Sequence, residues 1–373
     1  MITRPNHVEV DPGAISHNLR VLRGLLPAGR EIWQVCKGDG YGLGVVRAAQ
    51  MGAACGLTRF CAGTPDEALP LRAALPEAQI LLFPSALPAD LPALAQAGIL
   101  LSVHNLASLH TVLNAVPHAR FWLKLDCGLH RYGFDNSWLG RVVSALEQGH
   151  LPGLEGVYTH FSQSADPGHS DAALAVFDQH LARLRKACGR ALPAMVAASP
   201  LLLARPDLPY ELVDPGRALY GMMQPPSGTR LRPVVKALRS VLLDSRTVDG
   251  SSPLGYGAET DNGPKRVGTI PLGHFDGLPA RPPFGKVLIR GRPANVLART
   301  LLASMVDLSA HPDAEDGDPV TLVGTDEGQS LTMADLADDL GLSVTELHFG
   351  LVRALPKVVT DADPRAGCPS PKV

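Results

Sequence analysis

Nothing in the 373-residue sequence approaches the run of about 20 apolar residues that a membrane-spanning helix needs. Net charge is scarce as well: 34 Lys and Arg stand against 36 Asp and Glu, leaving −2 and no electrostatic case for nucleic acid or an anionic membrane. The six cysteines, at 36, 55, 61, 127, 188 and 368, lack metal-ligand spacing and the density of a disulfide framework. Reduced thiols and no metal site are therefore expected. Met1 to Gly13 lacks the apolar segment of a secretory leader, so the expected compartment is the cytoplasm. What is present, 45% apolar and 19% charged residues, is ordinary for a globular chain and excludes global disorder. The length allows two domains.

From Val8 to about Arg217, strand-like apolar runs alternate with helix-like ones, the pattern of a parallel sheet covered by helices. Strands are expected at Ile32–Cys36, Phe60–Gly63, Gln79–Phe83, Ile99–Val103, Phe121–Asp126, Leu154–Thr159, Met195–Ala198 and Glu211–Asp214. That makes the fold class α/β, with residues 8–233 forming an N-terminal (β/α)8 TIM-type barrel. In the first expected helix, Gly13–Leu26, the residues Ala14, Ile15, Leu19, Leu22 and Leu26 give one apolar face, whose role is core. After Pro233 the texture changes to short strands with turn signals, predicting a C-terminal mostly-β domain over 234–360 and a loose tail over 361–373. Strands there include Val234–Asp244 and Arg266–Leu272; short helices fit Met333–Leu340 and Thr345–Leu355.

The chemistry is organised around Gln34-Val35-Cys36-Lys37-Gly38-Asp39-Gly40-Tyr41-Gly42-Leu43-Gly44: an apolar strand ending on a lysine, then a glycine-crowded turn. A solvated head is the plain reading of a strand-end lysine, but a buried one has a lowered pKa and suits Schiff-base chemistry. Such barrels place their chemistry at the carboxyl ends of the strands. Lys37, Arg131, His160, Ser199 and the Asp214-Pro215-Gly216 turn all fall at or just after expected strand ends.

Lys37-Gly38-Asp39-Gly40-Tyr41-Gly42-Leu43-Gly44 resembles the K-A-D-A-Y-G-H-G motif of the alanine racemase family, and the resemblance continues from about Val8 to Val358. It implies pyridoxal 5′-phosphate as cofactor, attached through Lys37, with Tyr41 on the phosphate. Lys124-Leu125-Asp126-Cys127-Gly128-Leu129-His130-Arg131 resembles the family's K-x-D-T-G-M-x-R, which implies that Arg131 binds the substrate carboxylate; Lys124 matches a lysine that some members carbamylate. Tyr158-Thr159-His160-Phe161 resembles T-H-F and puts His160 beside the cofactor ring. Ser199, Gly216 and Arg217 match positions that bind the phosphate. Leu254-Gly255-Tyr256-Gly257 matches the motif of the second catalytic base, which implies Tyr256 on the face opposite Lys37 and a homodimer in which Tyr256 reaches the partner's site.

The departures concern the substrate side. Asp214 stands where the family has an arginine against the pyridine nitrogen, and a carboxylate there favours the protonated ring. His274 replaces an entrance tyrosine, and Thr300-Leu301-Leu302 replaces C-M-D. The resemblance implies a pyridoxal phosphate-dependent amino acid racemase or epimerase with two bases, Lys37 and Tyr256, not restricted to alanine. The alternatives are another α-carbon reaction of the same cofactor (decarboxylation, transamination or elimination) favoured by Asp214, and a cofactor-holding homologue without turnover.

Overall fold

The computed structural model describes residues 4–162, 166–196, 199–226, 228–251, 253–256 and 264–360. The 361–373 tail, Ala198 and Gly257 lie outside the described residues. Two compact units emerge among the described residues: one runs from Gly13 to Arg232, the other joins the residues up to Pro12 to those from Pro233 to Thr360.

The first unit is a closed barrel of parallel strands. Glu31–Ile32 pairs with Leu212–Val213, and Gln34–Val35, continuing the same stretch past Trp33, pairs with Arg59–Ala62. Pairing then runs through Gln79–Leu82, a Leu81–Leu100 bridge to Leu101–Val103, and on through Phe121–Leu125, Leu154–Thr159 and Ala194–Met195 back to Leu212–Val213. Counting the divided first stretch as one gives the eight expected strands.

The strands are buried along almost their whole length, as Phe121–Leu125 illustrates with all five residues buried, because helices cover the outside and side chains fill the inside. Trp33 and Trp122 fill the interior with ring centroids 5.4 Å apart. Gly156 makes room for them: a Cβ there would lie 2.6 Å from the Trp122 ring. Lys124, two residues beyond Trp122, shares its face of the strand and is also buried. Outside, the Pro12–Leu25 helix buries Ala14, Ile15, Leu19 and Leu22, the apolar face its spacing predicts.

The second unit is a ten-stranded, mostly antiparallel sheet. His7–Val10, which the sequence pattern groups with the barrel, lies in this sheet, antiparallel to Val235–Val241 and parallel to Lys357–Val359. The expected Val234–Asp244 strand is divided, because the backbone changes partners: Leu242 N–H donates to Asp318 O and Leu243 N–H to Thr269 O. Asp244–Val248 is thus a separate strand on Lys265–Ile270. Two short helices follow, Met333–Leu340 capped by Thr332 and Val344–Ala354 capped by Ser343.

Candidate active site

Lys37 opens a left-handed turn. Gly38, Asp39, Gly40 and Tyr41 all have φ between 54° and 67°, closed by Gly40 N–H to Cys36 O and Gly42 N–H to Gly38 O. L-residues resist this conformation by about 1–2 kcal/mol each, which explains the glycines. Gly40 has a second reason: a Cβ would lie 2.6 Å from that of Ala48. Two carboxylates hold the turn. Asp39 accepts from Val45 N–H, while Glu67 accepts from Asp39 N–H and, with its other oxygen, from Gly63 and Thr64 N–H. The motifs alone did not single out Glu67; the capping-box spacing Thr64-x-x-Glu67 was the signal available.

At the carboxyl ends of the strands a cavity of about 190 Å³ gathers Lys37, Lys124, Arg131, His160 and Asp214, with Phe83 and Tyr158 among its walls. Lys37 Nζ lies 5.6 Å from the Phe83 ring centre and Lys124 Nζ 4.9 Å from that of Tyr158. Arg131 rides on a loop organised by Asp126, whose Oδ1 accepts from the N–H groups of Gly128, Leu129 and His130. Gly133 brings that loop back against the strand, where a Cβ would meet Asp126 N at 2.4 Å.

Burial lowers the Lys37 amine below its ordinary range, with Asp214 opposing the shift and Arg131 reinforcing it. Lys124 is pushed down to about 8 by burial and then Arg131. Burial, with Lys37 the largest of the nearby cations, takes His160 down to about 3, so its imidazole is neutral. Asp214 moves the other way, up to about 7, because burial outweighs the pull of Lys37 and Lys124. Its Oδ1 is buried without a hydrogen-bond partner.

A second group of expected residues meets beside the first. A Cβ on Gly216 would lie 2.2 Å from Tyr41 Oη, so that glycine is what admits the tyrosine hydroxyl. Its N–H donates to Asp214 O at 2.8 Å, which fixes the turn. Ser199 Oγ accepts from Ala218 N–H at 3.0 Å, and the charge of Arg217 reaches both Tyr41 and His160. Tyr41 stacks on Tyr220, whose hydroxyl donates to Val35 O, tying the group to the first strand.

Tyr256 belongs to the β unit and is 87% exposed. Phe275, Leu301 and Leu302 are exposed at the same end of that unit. There the 273–275 and 300–302 segments bond through His274 N–H to Thr300 O and Phe275 N–H to Leu301 O, and a Cβ on Gly255 would touch Met305 and Thr300.

An amine eased toward its neutral form, set among cations that welcome an anionic group, suits Schiff-base chemistry on an anionic partner. Two family models cover most of the chain: "Alanine racemase, N-terminal domain" matches residues 10–224 and "Alanine racemase, C-terminal domain" residues 235–359. The chain belongs to the alanine racemase family, and it is an amino acid racemase. Among curated relatives, the alanine racemase of Salinispora tropica is 34% identical over 361 residues, 93% of this chain and 96% of the relative. The solved alanine racemase of Streptomyces coelicolor A3(2) has a TM-score of 0.87 at 30% identity, covering 96% of this chain and 98% of its own. That of Bartonella henselae, solved with covalently bound pyridoxal phosphate, has a TM-score of 0.85 at 23% identity and covers 96% and 100%.

Proposed function

We propose that this chain interconverts the enantiomers of alanine, without being restricted to it, using Lys37 and Tyr256 as bases on opposite faces of the α-carbon. Alanine is the substrate that its relatives' names give. The observation that carries the reading is the Lys37 amine, its pKa lowered by burial in a cavity that also holds Arg131 and Asp214. The residues suit pyridoxal phosphate on three counts: the reactive amine of Lys37, a set of cations (Lys124, Arg131 and Arg217) for its phosphate and the substrate carboxylate, and the unpartnered oxygen of Asp214. When bound, the cofactor supplies the electron sink that acidifies the α-proton.

The chain's own residues do the rest. Lys37 holds the cofactor and then moves a proton at the α-carbon. Tyr41, Ser199, Gly216 and Arg217 would hold the phosphate, and neutral His160 and Asp214 would hold the ring. Arg131 fixes the substrate carboxylate, which orients the α-hydrogen toward one base or the other. Tyr256 comes from a second copy of the chain. The exposed cluster of Tyr256, Phe275, Leu301 and Leu302 supports that homodimer, since so concentrated an apolar end calls for a partner. The apolar Leu301 and Leu302 support tolerance of side chains larger than a methyl. No helix among the described residues is long and apolar enough to cross a membrane, which accords with a cytoplasmic enzyme.

The test is α-proton exchange in heavy water over single-enantiomer amino acids, read by NMR together with chiral chromatography. Exchange with the mirror-image product supports the reading; a keto acid or amine as the main product overturns it. Tyr256→Phe is expected to lose about 10²–10⁴ of the rate. Mixing inactive Lys37→Ala and Tyr256→Phe chains should restore about a quarter of the activity through hybrid dimers with one intact site. No restoration would place Tyr256 in its own chain's site or outside the chemistry.

A further inference from the structure

Asp214 is the cavity's one acidic side chain among the described residues that line it, and its Oδ1 is buried with no hydrogen-bond partner. A buried carboxylate oxygen left in this state costs stability until something donates to it. Lys37 and Lys124 reach it as charges, not as hydrogen-bond donors to that oxygen. We propose that Asp214 makes cofactor capture proton-coupled: its free oxygen accepts a hydrogen bond from the protonated pyridine nitrogen, and the pair keeps one proton, carried in by the ring or drawn from solvent where the free ring has lost it. The proposal rests on the pyridoxal phosphate reading of the site; no bond to carbon changes in the step.

The neighbours leave Asp214 as the group that responds near neutrality. Tyr41, Cys61 and Tyr158, which all feel its charge, are raised by burial far above neutrality and stay uncharged. His160 is neutral, with the Arg131 and Arg217 guanidiniums nearby. Lys124, near 8, titrates above Asp214, the Lys37 amine is lowered by burial, and both stay in place in a variant at residue 214. With its own carboxyl near 7, Asp214 is ionised in the empty site above that pH. A cofactor that arrives with an unprotonated ring must then gather the shared proton, and its affinity falls as pH rises.

The experiment uses full-length protein freed of cofactor, pyridoxal phosphate labelled with ¹⁵N in the ring, and the 1-deaza analogue with CH in place of that nitrogen. The wild type is expected to give the ¹⁵N shift of a protonated ring at pH 8, and Asp214→Asn the shift of an unprotonated one. Above the pH at which the free cofactor's ring loses its proton, the wild type should lose about tenfold in affinity per pH unit for pyridoxal phosphate relative to the analogue. Asp214→Asn should show no such difference. An unprotonated ring in the wild type, or parallel pH profiles for the two ligands, overturns the proposal even if the variant fails to fold. A wild-type protein that takes up pyridoxal phosphate without a Lys37-dependent visible band would instead overturn the underlying placement of the cofactor.

Discussion

The two ends of the cavity are built to opposite rules. Around Lys37, Glu67 receives three backbone N–H groups and Asp39 a fourth, so the turn is held with nothing bound. At Asp214 a buried carboxylate oxygen has no partner, and on the proposed reading that end is completed by the ring. The difference teaches where rigidity is needed. On the proposed reading, a lysine that forms a bond and then moves a proton needs a fixed origin, whereas a group that recognises a ring can be left poised.

The contrast breaks outright if the amine goes. Lys37→Ala is expected to abolish the visible band of the bound cofactor and to lower racemisation by at least about 10³-fold, followed by absorbance and chiral chromatography. Retention of either would remove Lys37 from the centre of the site.

Lys124→Met sharpens the picture of the cavity as a strained cluster. In the folded protein its amine sits near 8, below its unfolded value of 10.5, so the native state resists a proton that the unfolded chain accepts. This penalty, on the order of 3 kcal/mol, is fully present below pH 8 and fades as pH rises toward 10.5. Cofactor-free Lys124→Met should therefore outlast the wild type in urea at pH 7, with the gap closing by pH 10. A gap independent of pH would point to packing instead.

The smallest effect is expected at the built end. Glu67→Gln keeps the shape but weakens charge-assisted bonds to the turn, for a loss of about 1–2 kcal/mol in urea unfolding and a several-fold fall in kcat with KM little changed. Unchanged kcat would mean that Asp39 and the glycines suffice to set the lysine.

Much of this was readable in advance, for a physical reason. The barrel strands are buried over most of their length, so they are written as largely apolar runs, and Lys37 and Asp214 are conspicuous as charges just past the ends of two of them. The home of His7–Val10 was not readable, because its partners begin more than 220 residues later and any sheet would accept its alternating pattern. Glu67 hid behind its second occupation as a helix cap. The free oxygen of Asp214 was invisible for another reason: being unpartnered is a property of the packed cavity and not of a residue type.

The barrel closes by joining its first strand to its last, Ile32 to Val213, and the β unit seats His7–Val10 only between strands near 235 and 357. During synthesis, then, the earliest segments to leave the ribosome are the last to find their places. At roughly 5–20 residues per second, the lysine strand waits on the order of 10–40 s with one edge open. The reactive amine thus becomes a site only once translation has passed the carboxylate it will face.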